Sequence, residues 1–357
     1  MIFDNIFDNK KVLITGHTGF KGSWLSLWLT TLGAKVYGIS NNIPTNPSHF
    51  KLLEINFTED FRFDISNTNK TLDSISNIKP DYIFHLAAQP LVSESFKDPL
   101  YTFKTNTIGT ANILESVRQL KNKCIVVMIT SDKSYDNLEI KRGYHEDDKL
   151  GGSDPYSGSK GAAELVINSY VKSYYKDGNI RIAVGRAGNV IGGGDWAKDR
   201  IIPDIIRSLN NNVVLKIRSP KATRPWQHVL EPLSGYLTLA YNLSLSESIH
   251  GQAFNFGPPP RSDYNVEQVL SELKKYFQNL KWDIVENKNF KESQLLKLDC
   301  NKAKQILNWE SSMSFKETIQ FTSEWYNRFM ENSSSMKQFS IDQIKYYSRV
   351  KEKRNKK

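Results

Sequence analysis

Lys11-Val12-Leu13-Ile14-Thr15-Gly16-His17-Thr18-Gly19-Phe20-Lys21-Gly22 reads as a buried strand, a glycine-rich turn and the opening of a helix that runs to Leu32. Only small residues let a backbone approach a pyrophosphate closely, and the helix N-terminus beyond offers it unpaired N–H groups. The spacing G-x-x-G-x-x-G occurs in ordinary loops too. The strand before it and the helix after it are what mark this turn as a dinucleotide site. Gly16, Thr18, Gly19, Phe20 and Gly22 are its candidate contacts.

Outward from that turn, apolar strand-like runs recur at 35–40, 60–63, 81–87, 124–130 and 180–187, with helical patterns at 66–78, 100–120 and 156–176. Alternating elements with continuously apolar strands imply an α/β fold, a parallel sheet covered on both faces. With the glycines in its first turn, the sheet is a Rossmann-type, doubly wound one. After Arg186 the pattern becomes short and mixed, with loops at Gly192-Gly193-Gly194-Asp195 and Pro258-Pro259-Pro260. We expect a nucleotide-binding domain of residues 9–187 plus 229–249, which includes a helix from Leu230 to Leu243. A smaller C-terminal substrate-binding lobe takes 188–228 and 250–335, with a late helix from Phe315, and a basic tail takes 336–357.

The second strand ends in Ser40-Asn41-Asn42, with neither an acid for a ribose hydroxyl nor an arginine for a 2′-phosphate. NAD and NADP both stay open on those residues, and the missing cation favours NAD. Phe63-Asp64-Ile65 ends a strand where an adenine could be touched. His85-Leu86-Ala87-Ala88-Gln89 closes the fourth strand with small residues suited to close packing on a cofactor, and His85 within it reads as structural.

Pro155-Tyr156-Ser157-Gly158-Ser159-Lys160 opens a helix on a favourable first residue, and its tyrosine and lysine share one face. A phenol beside a fixed ammonium has its pKa lowered, which suits it to take a proton from an alcohol. Glycine turn and Tyr-Lys pair together point to a nicotinamide enzyme that oxidises a hydroxyl.

The chain has 357 residues, 39% hydrophobic, room for a large core. No apolar run reaches the roughly 18 residues that span a bilayer. No signal-peptide pattern opens the chain, and Cys124 and Cys300 give neither a disulfide framework nor metal-ligand spacing. A cytoplasmic protein without a metal is expected. Of the net charge of +10, six charges lie in residues 337–357, where eight Lys/Arg face two Asp/Glu. This reads as a solvated, frayed terminus rather than a nucleic-acid arm.

With Thr105-Asn106 added, these motifs resemble the extended short-chain dehydrogenase/reductase superfamily. Longer strings are similar to its CDP-glucose 4,6-dehydratase branch: Gly16 to Trp24, Ala87 to Val92, Thr130-Ser131-Asp132-Lys133, Arg186 to Arg200 and Arg224 to Tyr236. The resemblance implies tightly held NAD, a nucleotide-sugar substrate, a homodimer or homotetramer, and a place in deoxysugar synthesis for surface polysaccharide. It adds Asn106 and Thr130 to the cofactor contacts Ser40, Asp64, Ile65, Ala87, Ala88 and Gln89, with Tyr156 and Lys160. It makes Ser131 the hydroxyl partner of Tyr156, Lys133 the candidate base at C5 and Asp132 the acid for the C6 hydroxyl. Arg224, Arg218 and Asn189 become candidate phosphate and nucleotide ligands, with Arg200 and Trp226 beside them. A nucleotide-sugar 4-epimerase would use the same Tyr-Lys device but needs no acid at C6, and a non-catalytic NAD-binding regulator would tolerate loss of Tyr156.

Overall fold

A computed structural model describes residues 2–140, 142–176, 178–258, 263–285 and 296–355; Pro259, Pro260 and the final Lys356-Lys357 lie outside them. Seven strands form one sheet: β1 (Lys11–Thr15), β2 (Lys35–Ser40), β3 (Glu59–Arg62), β4 (Tyr82–His85), β5 (Cys124–Ile129), β6 (Ile180–Ala187) and β7 (Ala253–Phe256). Their order is β3-β2-β1-β4-β5-β6-β7, with every neighbouring pair parallel. Reversal of strand order beside β1 opens the crevice that such sheets use for ligands.

Strand side chains alternate between two cores. Val12 and Ile14 of β1 join one apolar cluster and Leu13 the other. The first is closed by Trp24 and Trp28 of α1 (Phe20–Thr31), and the second by Ile75 of α2 (Thr68–Ile78), Ile113 of α3 (Gly109–Arg118) and Ile167 of α4 (Pro155–Tyr174). Helix α4 starts where expected because Asp154 caps it, its carboxylate accepting from Ser157 N at 3.0 Å with Pro155 following. The helix expected over 100–120 is interrupted. A π-helical turn at Lys104–Ile108 separates Pro99–Phe103 from α3, the kind of defect that accompanies functional positions.

Two expectations are corrected. Strand β7 falls within the residues expected for the smaller lobe but pairs with β6 in the main sheet, Ala253 opposite Val184. The basic tail is a packed helix rather than a frayed terminus. After α5 (Leu230–Leu245) and α6 (Phe315–Glu331), α7 (Met336–Asn355) buries Met336, Ile344 and Tyr347 in the first core. Its Tyr347 hydroxyl donates to Glu231 Oε2 at 2.7 Å, Trp325 Nε1 donates to Ser340 Oγ at 3.0 Å, and Lys351 Nζ donates to Glu310 O at 2.9 Å. Lys351 belongs to the buried face, while Lys345, Arg349, Lys353 and Arg354 lie on the solvent face of the helix.

The smaller lobe consists of short pairings, Val190–Ile191 with Gln227–His228, Thr223–Pro225 with Asp263–Asn265, and Leu215–Ile217 with Trp282–Ile284, beside the helix Ile201–Asn210. No helix among the described residues is long and apolar enough to cross a membrane.

Candidate active site

A cavity of about 1020 Å³ lies between the carboxyl ends of β1 to β6 and the smaller lobe. Of the residues singled out from the sequence, all but Asn106 line it. Asn106 sits beneath: its amide oxygen accepts from Gln89 N at 2.8 Å, and its Nδ2 donates to Gln89 O and Ser159 Oγ. It holds the turn after β4 in shape instead of facing the cavity. Thr105, its neighbour on the π-helical turn, is the wall residue, and its buried hydroxyl has no partner among the described residues.

The first end of the cavity is built for an extended phosphate-bearing group. Gly16 has φ +75° and a Cβ there would lie 2.8 Å from Ala87 N; a Cβ on Gly22 would lie 2.1 Å from Gly16 O. Strand, turn and helix can approach this closely only with glycine at both. Gly19, by contrast, has only Gly16 O near its missing Cβ, at 3.4 Å, and it precedes α1 without a side-chain cap. Free N–H groups therefore face open space, as a dinucleotide phosphate requires. At the end of β2, Ser40 Oγ is shared by His17 Nδ1 at 3.0 Å and Thr18 N at 3.5 Å. His17 spans to Asp60 at 2.9 Å, and burial lowers its pKa. Asp64 receives Ser66 N at 2.8 Å and, more loosely, the Tyr101 hydroxyl at 3.4 Å. A dinucleotide fits these residues. His85 is structural as expected: it bridges Thr15 and Thr110 and burial holds its pKa down at about 3. His228 is likewise buried and neutral, at about 3.

The other end of the cavity joins three elements. Ser131 leaves β5 in extended conformation and donates to Asp132 Oδ1 at 2.9 Å, while its oxygen accepts from Lys133 N at 3.2 Å. Helix α4 brings the Tyr156 hydroxyl beside Ser131, near enough for that hydroxyl to favour the phenolate, with Lys160 one turn on. Here the expected lowering of the phenol is corrected. Burial, reinforced by the Asp132 carboxylate, pushes Tyr156 up to about 12, against the opposing pull of the nearby Ser131 hydroxyl and of Arg200. Lys160 is itself pulled down to about 8 by burial. In the protein alone, desolvation wins over the neighbouring ammonium. Burial also raises Asp132 against the pull of Lys133, Ser131 and Lys21, so this carboxyl is biased toward holding a proton.

Three residues at this end went unnoticed in the sequence. Lys21, in the first turn of α1, points inward to the Tyr236 hydroxyl at 3.5 Å, and its pKa falls to about 8 through burial and Arg200. Asp195 grips Arg200 Nη1 at 3.0 Å and thereby aims this guanidinium at the catalytic groups. Tyr236 on α5 is fully buried beside them. Lys21 had a readable signal, an inward cation between the second and third glycines. Asn189, Arg218, Arg224 and Trp226 line the smaller-lobe wall, where Trp226 Nε1 donates to Tyr264 O at 2.8 Å.

The family model described as GDP-mannose 4,6 dehydratase matches residues 13–322. A CDP-glucose 4,6-dehydratase of Salmonella typhimurium (strain LT2) is 44% identical over 343 residues, covering 94% of this chain and 96% of that protein. Among solved structures, an epimerase of Methanothermobacter thermautotrophicus superposes with a TM-score of 0.81 at 24% identity, covering 93% of this chain and 96% of that one. A Bacillus anthracis dTDP-glucose 4,6-dehydratase in complex with NAD gives 0.74 at 21%, covering 90% and 98%. At those identities the two structures speak for the fold alone. By the matched model and the long, near full-length identity, the chain belongs to the GDP-mannose 4,6-dehydratase family of nucleotide-sugar enzymes and stands with its CDP-glucose 4,6-dehydratases.

Proposed function

We propose that the protein is an NAD-dependent hydro-lyase that converts CDP-D-glucose to CDP-4-dehydro-6-deoxy-D-glucose and water. One observation carries this reading beyond the family: a tyrosine hydroxyl beside Ser131 meets a buried acid, Asp132, and a lysine that can act as an amine base, Lys133, at the sugar end of a dinucleotide-sized cavity. NAD, held by the glycine turn, Ser40 and Asp64, would supply the acceptor for the C4 hydride and the donor for its return to C6. Tyr156, aligned by Ser131 and biased by Lys160, takes the C4 hydroxyl proton. The ketone acidifies C5, whose proton Lys133 removes. Asp132, whose pKa burial raises, delivers a proton to the departing C6 hydroxyl, and the C5 proton is then restored. Arg218 and Arg224 pair with the substrate diphosphate, Asn189 donates to it, and Arg200 and Trp226 complete the wall.

The same reading takes the enzyme as cytoplasmic, serving deoxysugar synthesis, and as a homodimer or homotetramer. Leu100 at 81% exposure, with Phe103, Ile108 and Leu165, supplies an apolar face suited to a second copy. Incubation with CDP-glucose and NAD followed by mass spectrometry tests the activity. A product lighter by one water is expected. An unchanged mass with inversion at C4 would make the protein an epimerase instead.

A further inference from the structure

The loop that carries Ser131, Asp132 and Lys133 is bound to the helix that carries Tyr156 and Lys160 by a single buried carboxylate. Glu164 lies on α4 one turn beyond Lys160 and is 4% exposed. It accepts from Thr130 Oγ1 at 2.7 Å and Ser134 Oγ at 2.8 Å, so both ends of the catalytic loop rest on it. Arg186 of β6, equally buried, donates Nε to its two oxygens at 2.8 and 2.9 Å. The same guanidinium donates to the Tyr135 hydroxyl at 2.7 Å and to Glu146 O at 2.9 Å, and the Tyr135 hydroxyl donates on to Asn255 at 2.8 Å. Glu164 does not line the cavity.

We propose that Glu164 is a positioning residue for the dehydration: it fixes the Thr130–Ser134 loop against α4 and supplies the counter-charge to the Lys160 ammonium. This rests on the reading of Tyr156 and Lys160 given above. Burial works against a charged Lys160, and the Glu164 carboxylate opposes it. The other groups turned toward Lys160 give no such help. Lys21 from α1 is a second cation and repels it. His85 from β4 is neutral. Tyr156 on α4 is a protonated phenol, and the Asp132 carboxyl acts on Lys21 and Tyr156. Removing the negative charge lets Lys160 lose its proton at lower pH.

Glu164→Gln strands a buried Arg186, so loss of stability alone would prove nothing. Glu164→Gln/Arg186→Met removes both charges and serves as the folded comparison. In each full-length variant, the pH midpoint for trace acetylation of Lys160, read by peptide mass, is expected to fall by about one to two pH units. The alkaline limb of kcat should move down with it while KM for the sugar nucleotide holds. A purely structural role predicts that the double variant regains both the wild-type midpoint and the wild-type limb, and that result would overturn the proposal. If wild-type protein fails to dehydrate CDP-glucose while the Lys160 midpoint still falls in the variants, the functional reading fails and the assignment of Glu164 stands.

Discussion

Replacing Lys160 by Met tests how Tyr156 becomes a base. Burial pushes that phenol up to about 12, and working near neutrality requires it to come down by about five pH units. At about 1.4 kcal/mol per pH unit this is roughly 7 kcal/mol. A unit charge one helical turn away, ~6 Å at an effective dielectric of ~20, supplies about 3 kcal/mol, or about two pH units. Lys160 therefore provides less than half. The effect of Ser131 is already contained in that starting value, so the positive ring of a bound dinucleotide would have to supply the remainder. A base works when deprotonated, so kcat/KM rises with pH through the Tyr156 titration. Loss of the neighbouring cation raises that titration and moves the acid limb upward by about two pH units. The assay is water loss from CDP-glucose, followed by mass at each pH in the NAD-loaded enzyme. A companion titration of tyrosinate absorbance, with Tyr156→Phe as blank, should show the phenolate near neutral pH only when NAD is present. An acid limb unmoved in Lys160→Met, or near-normal turnover in Tyr156→Phe, would refute this account.

Three further outcomes follow from the same geometry. Asp132→Asn should cut water loss about a hundredfold or more while exchange of the C5 hydrogen with deuterated solvent continues, because only the C6 leaving group loses its acid. Gly22→Ala places a Cβ 2.1 Å from Gly16 O, so we expect a loss of about 3 kcal/mol or more in urea unfolding and of NAD binding by fluorescence titration. Tyr347→Phe removes the donor to a buried Glu231 that otherwise accepts only from Ser312 N and Met313 N among the described residues. Stability should fall by about 1–3 kcal/mol with kcat/KM unchanged.

What could be read from the sequence was local. The strand, turn and helix at 11–31 follow from apolar runs and glycines within one window, and Tyr156 and Lys160 share a face by spacing alone. What could not be read depended on burial or on distant partners. A phenol beside an ammonium suggests an acidic tyrosine until desolvation is counted, and desolvation exists only in the folded chain. Glu164 sits one turn past a lysine like any surface helix residue, and its weight comes from Arg186, Thr130 and Ser134 converging on it. Strand β7 is four residues long, too short for periodicity to separate from a loop. The final helix was legible and was hidden by its charge: Met336, Ser340, Ile344, Tyr347 and Lys351 recur every three or four residues on its buried face.

That helix also sets an order of events during synthesis. Ser340 bonds His49 across 291 residues of chain, and Met336 and Tyr347 fill the wall behind α1. Until residues 336–355 have left the ribosome, Trp28 lacks the Tyr347 ring that packs against it, so the nucleotide-binding half cannot seal as it emerges. Its completion waits on that late segment, which leaves apolar surface for chaperones to cover in the meantime.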